Sequence, residues 1–546
     1  MKSHSLIASL SALLLALPLA AQQKARPVVL DVSVQADEFY FPTTGVTVRG
    51  QALLLGIDNY LLPLRENVSL YLSKPKARKE PVLAPSKDDP LAPDQVASHF
   101  YGAVINDNGK FRMWYYACAL KEPGDAYNAD VSQLLQGPVC YAESDDGIKW
   151  VKPKLNQVEV RGSTANNAVF LPDEKIETVS VIKDESDPDP NRRYKMLYNP
   201  HNGTTWVLRT ATSPDGIRWT AAKNFAIDQF LEPAGMYKFN GMYFVGGQRT
   251  TPSEGGALGA RQGKTLLSTN FDTWIPGDAE GFHIVEPVNP ADRGHLKSYD
   301  QVHLGVGGAS FGNVVIGLYG MWHNQAGNNR DQERWGWFGY GKISCDLGLV
   351  ISNDGMHFRE PDKGRVYISR LDAPATPVPG HDYPTILTQS GNGILNVGDE
   401  TRIYFGRWMN AEYGKGYSGE VGLATLPRDR WGALGLYPED AKTYQKRGSV
   451  WSAPVRIPAS GCELFLNADN CGNMTVEISD TKFQLLPDYS GARAGKSGQS
   501  GGIDCAVSWR GGKLSELAEK TVRFKMNFEA QPNANPRLYA VTLRSK

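Results

Sequence analysis

Three carboxylates stand at the beginning of predicted strands, where they could take part in acid–base chemistry. Glu232 comes directly before Pro233 and an apolar strand, Asp300 precedes a second strand, and Asp382 precedes a third. Two converging carboxylates suit cleavage of a glycosidic bond, because one protonates the leaving oxygen while the other activates water or attacks the anomeric carbon. We therefore predict that Glu232, Asp300 and Asp382 are catalytic, with Glu232 as the acid. The alternative is that Asp300 and Asp382 cap loops or pair with arginines.

Other side chains on the same predicted face suit the binding of a substrate. Long loops after the second strands carry aromatic side chains that can stack on sugar rings, although a loop tryptophan can equally anchor its own loop. The second predicted unit is the least clear, with Glu177 immediately before its strand. The predicted substrate-binding residues are His99, Arg249, Arg330, Trp335, Trp337, His381 and Arg407.

A repeated motif indicates which elements position these residues. A serine is followed by Asp-Gly and then by an aromatic residue at 144–150, 213–219 and 352–358, with degraded copies at 268–274 and 427–431. Asp-Gly supplies the positive φ of a tight hairpin turn, so these aspartates are predicted to be structural. Three short apolar strands precede each copy. Four-stranded antiparallel units arranged around an axis form a propeller, and five units predict a five-bladed β-propeller.

Two polar motifs lie between the first and second strands of predicted units. Asn-Asp-Asn-Gly at 106–109 and Ser-Asp-Pro-Asp-Pro at 186–190 contain the residue types that favour turns. We predict that both are turns and not catalytic motifs.

The domain boundaries follow from where the repeat begins and ends. The predicted propeller spans 28–445, with N-terminal strands closing its ring, and alternating strands over 447–546 predict a small β-sandwich. The sandwich is predicted to brace the propeller, with sugar binding as the alternative. Residues 1–21 combine Lys2, an apolar run and small residues, which is typical of a bacterial signal peptide. The run is too short to span a bilayer, so we expect a secreted or periplasmic protein without an integral membrane segment in the mature chain.

Charge and cysteine content narrow the function further. The 58 basic and 58 acidic residues balance, which argues against a nucleic-acid partner or an anionic membrane. Export permits disulfides, and Cys118 and Cys140 are plausible partners if their strands pair. Among Cys462, Cys471 and Cys505 no pair can be chosen. No cysteine spacing is typical of a zinc site, so we predict no metal ligands in the site and no required cofactor.

The repeat resembles that of five-bladed glycosidases, namely the arabinanases and xylosidases of glycoside hydrolase family 43 and the invertase and levansucrase families. Glu232-Pro233 before a strand is similar to the acidic-Pro pair of these enzymes, whose acid commonly lies on the third blade. The propeller-then-sandwich order is similar to the invertase group. The resemblance implies a carbohydrate substrate. It also implies a possible calcium ion near a histidine, for which His381 is the candidate. Where it implies a first-blade aspartate, this chain has His99 or Phe100.

These observations predict a secreted glycoside hydrolase that cleaves poly- or oligosaccharides by carboxylate chemistry. One alternative is a non-catalytic carbohydrate-binding propeller, which the missing first-blade aspartate favours. Another is a sialidase-like enzyme for a carboxylated sugar, which the Asp-Gly turns and the loop arginines suggest. A fold alone does not decide among them.

Overall fold

The computed structural model describes residues 35–250, 261–283, 301–324, 343–409, 415–442, 444–532 and 534–546. Within these ranges the regular structure is β-strand with short 3₁₀ helices, which confirms the predicted all-β class. The 3₁₀ helices are Val131–Gln133, Pro190–Arg192, Cys471–Asn473, Pro487–Tyr489, Gly491–Arg493 and Leu514–Leu517. None of the helices in the described part of the chain is long or apolar enough to cross a membrane.

Six short strands precede the repeat. They are β1 (Glu38–Phe41), β2 (Val46–Arg49), β3 (Gln51–Leu55), β4 (Leu64–Glu66), β5 (Val68–Leu72) and β6 (Lys76–Ala77).

Five groups of antiparallel strands follow the sequence repeat, and we call them repeats 1 to 5. Repeat 1 has β7 (Ala97–Asp107), β8 (Lys110–Leu120) and β9 (Leu134–Ser144). Repeat 2 has β10 (Ile176–Lys183), β11 (Tyr194–Pro200), β12 (Arg209–Ser213) and β13 (Thr220–Ala221). Repeat 3 has β14 (Glu232–Phe239), β15 (Met242–Thr250), β16 (Arg261–Ser268) and β17 (Ala279–Phe282). Repeat 4 has β18 (Gln301–Ser310), β19 (Val315–Asn324), β20 (Ile343–Ser352) and β21 (Val366–Ile368). Repeat 5 has β22 (Ile386–Thr388), β23 (Ile394–Val397), β24 (Glu400–Met409) and β25 (Ser418–Pro427).

Nine strands complete the chain. They are β26 (Gly432–Leu436), β27 (Arg447–Trp451), β28 (Val455–Arg456), β29 (Cys462–Asp469), β30 (Met474–Ser479), β31 (Lys496–Ser497), β32 (Gly502–Ser508), β33 (Thr521–Glu529) and β34 (Arg537–Ser545).

The Asp-Gly motifs form the predicted turns. In the first copy the Ser144 hydroxyl accepts from the Gly147 N–H at 2.9 Å, and Asp146 Oδ1 accepts from the N–H groups of Ile148 and Lys149 at 2.8 Å each. Gly147 has a φ of +70°, which favours glycine. The copies at 213–218 and 352–357 repeat these bonds. The motif aspartates therefore hold their own turns together.

The two polar motifs are turns as well. Asn108 and Gly109 have φ values of +54° and +91° between β7 and β8. Asp189 lies between β10 and β11, and its side chain accepts from the Asn191 N–H at the start of a 3₁₀ helix. Neither motif supplies a free carboxylate for chemistry, since Asp107 also pairs with Lys183 at 2.8 Å.

Two seven-stranded sheets form a second part of the fold. One has the order β2-β1-β28-β33-β27-β4 with β30 beside β33, and the other has the order β31-β32-β29-β34-β26-β5 with β3 beside β34. Apolar side chains from both sheets share one buried core, which includes Phe39, Leu54, Leu466 and Phe524.

Of the described N-terminal strands, which were predicted to close the ring, β6 pairs with a repeat. Strands β1, β3, β4 and β5 pair with strands C-terminal to the repeats, β2 pairs with β1, and β3 alone contributes five residues to its pairing with β34. Only the following segment pairs with repeat 5, through β6 and through Leu83 opposite Val421. Strand β26 lies inside the predicted propeller range but also belongs to the second part. Apolar alternation predicts a half-buried strand, but it does not identify a partner several hundred residues away.

Cys118 and Cys140, plausible partners if their strands pair, are not bonded in this structure. Their strands do pair, but Cys118 lies opposite Gln136 and Cys140 lies opposite Tyr115. Both cysteines are buried free thiols. The register of the hairpin, which the sequence leaves open, separates the two side chains.

Candidate active site on the first strands of the repeats

The first strands of repeats 2 and 3 lie side by side and run in the same direction. Three hydrogen bonds join the two repeats. The Met236 N–H of β14 donates to Ser180 Oγ of β10 at 2.8 Å, Lys238 Nζ of β14 donates to Asp184 Oδ2 just after β10 at 2.8 Å, and Asn199 Nδ2 of β11 donates to Leu231 O just before β14 at 3.1 Å. Pro200, the neighbour of Asn199 in β11, lies opposite Ile176, and Leu231 immediately precedes Glu232. The carboxylates of Glu177 and Glu232 are therefore carried at matching levels of neighbouring strands.

Irregularities interrupt four of the five first strands near this level. The pairing register shifts between Ile176 and Val179 in β10 and between Pro233 and Gly235 in β14. It also shifts between residues 99 and 103 in β7 and between residues 303 and 306 in β18. A bulge twists a strand locally and changes the direction of its side chains, and bulges are frequent beside active sites. The bulges redirect the first strands at the positions that carry the candidate residues.

The first strand of repeat 3 and the segment after the first strand of repeat 5 approach each other too closely for any side chain between them. A Cβ atom added to Gly235 would lie 2.0 Å from the Cα atom of Gly391, which follows β22. Both residues must therefore be glycine for repeats 3 and 5 to meet.

Glu232 is held by a hydrogen-bonded glutamine. The half-buried Glu232 lies opposite Gln248 in the β14–β15 hairpin, and the Gln248 amide Nε2 donates to Glu232 Oε2. The other amide atom of Gln248, Oε1, accepts from the Leu304 N–H at 2.6 Å. Because the backbone N–H can only donate, it fixes which end of the amide faces Glu232. Glu232 is thus oriented as a hydrogen-bond acceptor.

Glu177 lies within electrostatic range of a group of buried phenols. Burial raises the pKa of Tyr116 well above its ordinary value, and the neighbouring charge of Glu177 raises it further. Burial has the same effect on the pKa of Tyr417, again reinforced by Glu177. Both phenols therefore stay protonated at neutral pH.

His99 forms part of an aromatic wall. Its ring stacks on Tyr116 with centroids 4.4 Å apart and meets Trp408 edge-on at 4.3 Å. The residue is only 2% exposed, and neither ring nitrogen has a hydrogen-bond partner among the described residues. Burial lowers the pKa of His99 to about 3, so the ring is neutral at physiological pH. His99, which was predicted to bind substrate, is therefore a buried residue in this structure.

Arg407 was predicted to bind substrate, but its contacts are internal. The residue is 1% exposed, and its guanidinium donates to the carbonyl oxygens of Lys79, at 2.6 Å, and of Arg78. It also faces Glu420, with Nη1 3.6 Å from the carboxylate. These contacts tie repeat 5 to the segment that precedes repeat 1.

His381 and Asp382 lie on a loop before β22. His381 Nε2 is 2.9 Å from Asn128 Oδ1 in the loop after β8, and its ring stacks on Tyr383 with centroids 6.2 Å apart. Asp382 is exposed. The structure therefore places Asp382 on an open loop and not in a buried pair with another carboxylate.

The remaining predicted residues fall outside the described parts of the chain. Asp300 and the loop residues Arg330, Trp335 and Trp337 lie in the ranges that the structure does not describe. The backbone of Arg249 lies in β15 opposite Gln262, and its side chain is not described.

The residues around Glu232 that sequence reasoning missed could partly have been found. Gln248 follows from the register of the β14–β15 hairpin, which places it opposite Glu232. Glu177 was noted at the start of its strand but was given no role. The grouping of Tyr116, Trp408 and Tyr417 joins repeats 1 and 5, and no local pattern indicates it.

The possible calcium ion is not supported by the residues that surround His381. Calcium prefers six to eight oxygen ligands, with carboxylates among them. No group of three or more histidine, cysteine, aspartate or glutamate side chains within the described ranges could hold a metal ion. The polar group that contacts the His381 ring is the side-chain amide of Asn128. These residues do not fit a calcium site, and no step of the chemistry below uses a metal.

Comparison with known proteins gives structural similarity but no sequence family. No protein-family model and no curated protein sequence matches the chain. A glycosyl hydrolase from Bacteroides ovatus is 15% identical with a TM-score of 0.38, and the alignment covers 66% of this chain and 95% of that one. The β-1,2-mannobiose phosphorylase from Listeria innocua is 12% identical with a TM-score of 0.40, covering 66% and 97%. The RS223 β-xylosidase is 12% identical with a TM-score of 0.37, covering 64% and 95%.

All three proteins are named as carbohydrate-active enzymes, the class that the sequence resembles. Identities of 12–15% and TM-scores of 0.40 or less do not define an activity for this chain.

Proposed function

We propose that this protein is a glycoside hydrolase whose catalytic carboxylates are Glu177 and Glu232. The observation that carries the proposal is their position at matching levels of β10 and β14, the first strands of two repeats that three hydrogen bonds join. Two carboxyl groups that flank one glycosidic bond are the usual requirement of this reaction. Both residues are half-buried, so they combine access to a substrate with partial shielding from water.

The contacts of the two residues suggest different roles. Glu232 accepts a hydrogen bond from the fixed amide of Gln248, which suits a carboxylate that activates water or attacks the anomeric carbon. With Glu232 in that role, Glu177 is left as the candidate acid that protonates the leaving oxygen. This assignment reverses the acid role that the sequence suggested for Glu232.

A five-bladed propeller is the proposed arrangement of the five repeats. Strand β20 pairs in parallel with β22, and β25 pairs in parallel with β7, so repeats 4, 5 and 1 follow one another. Repeats 2 and 3 are joined by the bonds given above, and the Leu304–Gln248 bond joins repeats 3 and 4. Residues 1–21 are proposed as a signal peptide that directs the chain to the periplasm or out of the cell.

The test is turnover of glycosides by the chain without its first 21 residues. Neutral and carboxylated aryl-glycosides and polysaccharide digests would be offered to the parent and to Glu177→Gln and Glu232→Gln. Each substitution should lower kcat by about 10²–10⁴-fold, because general acid–base catalysis contributes that much. Glu185→Gln is the matched control for Glu177, since Glu185 follows the opposite end of β10 and is exposed. Glu280→Gln in β17 is the control for Glu232.

The outcomes separate the candidate functions. Loss of turnover in both carboxylate variants but in neither control supports the proposal. Turnover that survives in Glu177→Gln would assign the second carboxylate elsewhere, and Asp300 and Asp382 would be substituted next. Retention on a polysaccharide without turnover of any glycoside would favour a carbohydrate-binding protein. Turnover of carboxylated glycosides alone would favour the sialidase-like alternative.

A further inference from the structure

Two of the three C-terminal cysteines meet in the core of the second part of the fold. Cys471 begins a 3₁₀ helix after β29, and Cys505 lies in β32. Both residues are 0% exposed and belong to the same apolar core. Burial, together with a hydrogen bond to Cys471, raises the pKa of Cys505 to about 12. Both are thiols in the structure.

The backbone around the two thiols holds them in register. The Cys471 N–H donates to Ser500 O at 2.8 Å, and its thiol donates to Gln499 O at 3.1 Å. Gln499 in turn accepts through Oε1 from the Ala506 N–H, next to Cys505, at 3.2 Å. The segment before β32 is thus bonded to Cys471 and to Ala506, the neighbour of Cys505.

The third cysteine of this region lies elsewhere on the same sheet. Cys462 lies opposite Ser545, whereas Cys505 lies opposite Leu466. Cys462 and Leu466 are four residues apart on β29, which corresponds to about 13 Å along a strand. A disulfide requires Cα atoms within about 7 Å, so Cys462 does not compete for Cys505.

We propose that Cys471 and Cys505 form a disulfide when the chain folds in an oxidising compartment. The bond would join the 3₁₀ helix at 471–473 to β32 and fix the β31–β32 hairpin at the edge of its sheet. The inference is independent of the proposed glycosidase activity. It requires only that folding takes place in the presence of a disulfide-bearing oxidant, as in the bacterial periplasm.

The reaction is thiol–disulfide exchange. The thiolate of one cysteine attacks the oxidant's disulfide, which forms a mixed disulfide and releases one thiol of the oxidant. The thiolate of the second cysteine then attacks the mixed disulfide, which forms the Cys471–Cys505 bond and releases the second thiol. The two protons of the protein thiols pass to the two departing thiolates, and the oxidant is reduced as the protein is oxidised. Because both thiols are fully buried in the folded chain, the exchange takes place during folding.

The test counts free thiols in the full chain. The protein would be refolded in a mixture of oxidised and reduced glutathione, denatured, treated with a maleimide and weighed by mass spectrometry before and after reduction. The chain has six cysteines, so we expect four labels without reduction and six after it. Proteolysis should give one disulfide-linked pair of peptides that contain residues 471 and 505. Six labels before reduction, or a linked pair with any other cysteine, would overturn the proposal.

A stability measurement on variants provides a second check. Reduction should lower the thermal midpoint of the oxidised parent by several degrees, because the bond constrains the unfolded chain. A Cys471→Ser/Cys505→Ser double variant should show no such response to reductant, and Cys462→Ser should respond like the parent. An equal response of the double variant and the parent would contradict the assignment. If the double variant fails to fold, the label count on the parent still decides.

Discussion

The hydroxyl oxygen of Tyr101 lies 2.6 Å from Nε2 of His303, so a single hydrogen bond joins the first strands of repeats 1 and 4. Both residues are 5% exposed, and the His303 ring stacks on Trp322 with centroids 4.2 Å apart. Tyr101 lies within the bulged part of β7, and His303 borders the bulge in β18. The bond therefore ties together two irregular segments at the level of the candidate site.

Substitution of Tyr101 by phenylalanine tests the importance of this bond. Tyr101→Phe removes only the hydroxyl, and we expect the free energy of unfolding to fall by about 1–2 kcal/mol because His303 loses a buried partner. Tyr127→Phe is the control, since the Tyr127 hydroxyl bonds Asp88 at an exposed site. Urea denaturation at pH 7.5 would measure both. An equal fall in the free energy of unfolding of the two variants would contradict a larger contribution of the buried Tyr101–His303 bond.

Gln248 offers a test of how Glu232 is positioned. Gln248→Met keeps the approximate volume but removes both the donor to Glu232 and the acceptor for the Leu304 N–H. We expect kcat to fall about tenfold or more with little change in KM, because an interaction that orients the catalytic group acts mainly in the transition state. Gln157→Met, at a half-buried glutamine outside the site, is the control. Unchanged kcat in Gln248→Met would count against Glu232 as a catalytic residue.

The repeat could be predicted from sequence because its signal is local. Asp146 and Gly147 satisfy their turn within the six residues from Ser144 to Lys149, so the shared Ser, Asp and Gly lead to the same hydrogen bonds in three copies. Glu232 was predicted for a similar reason, since an acidic residue and a proline precede an apolar strand. The strand indeed begins at Glu232.

What the sequence did not reveal depends on contacts between distant segments. The pairing of β3 with β34, the packing of His99 against Trp408 and the internal contacts of Arg407 each join residues that lie hundreds of positions apart. Arginine on a strand end has the same local pattern whether its guanidinium faces a substrate or a neighbouring carbonyl. The register of a hairpin is similarly undetermined, and this register separates Cys118 from Cys140.

The buried neutral ring of His99 predicts a dependence of stability on pH. Burial lowers its pKa in the folded chain to about 3, against about 6.5 in the unfolded chain. Below pH 6.5 the unfolded state binds a proton that the folded state excludes, so stability is full above pH 6.5 and falls as the pH decreases toward 3. Between pH 7 and pH 5 this residue should cost about 2 kcal/mol.

Removing the titrating ring should remove that loss. Urea denaturation of the parent, His99→Phe and His201→Gln would be compared at pH 7 and pH 5. His201 is a half-buried histidine in repeat 2 and serves as the control. We expect a smaller difference between the two pH values in His99→Phe only. The same difference in all three proteins would show that His99 is accessible to protons in the folded state.

Arg407 provides the clearest test of a structural role against a substrate-binding role. Arg407→Met leaves the carboxylate of Glu420 buried without its cationic neighbour, although Glu420 keeps the hydrogen bond from the Thr376 N–H at 3.0 Å. Burial already raises the pKa of Glu420, and the positive charge of Arg407 opposes that rise. Loss of one partner of a buried pair costs about 3–5 kcal/mol, so the free energy of unfolding should fall by that order. The double variant Arg407→Met/Glu420→Gln should regain part of the lost free energy of unfolding. The KM of the single and of the double variant, measured under conditions where each is folded, should match that of the parent. A raised KM without a loss of stability would instead place the guanidinium at the substrate.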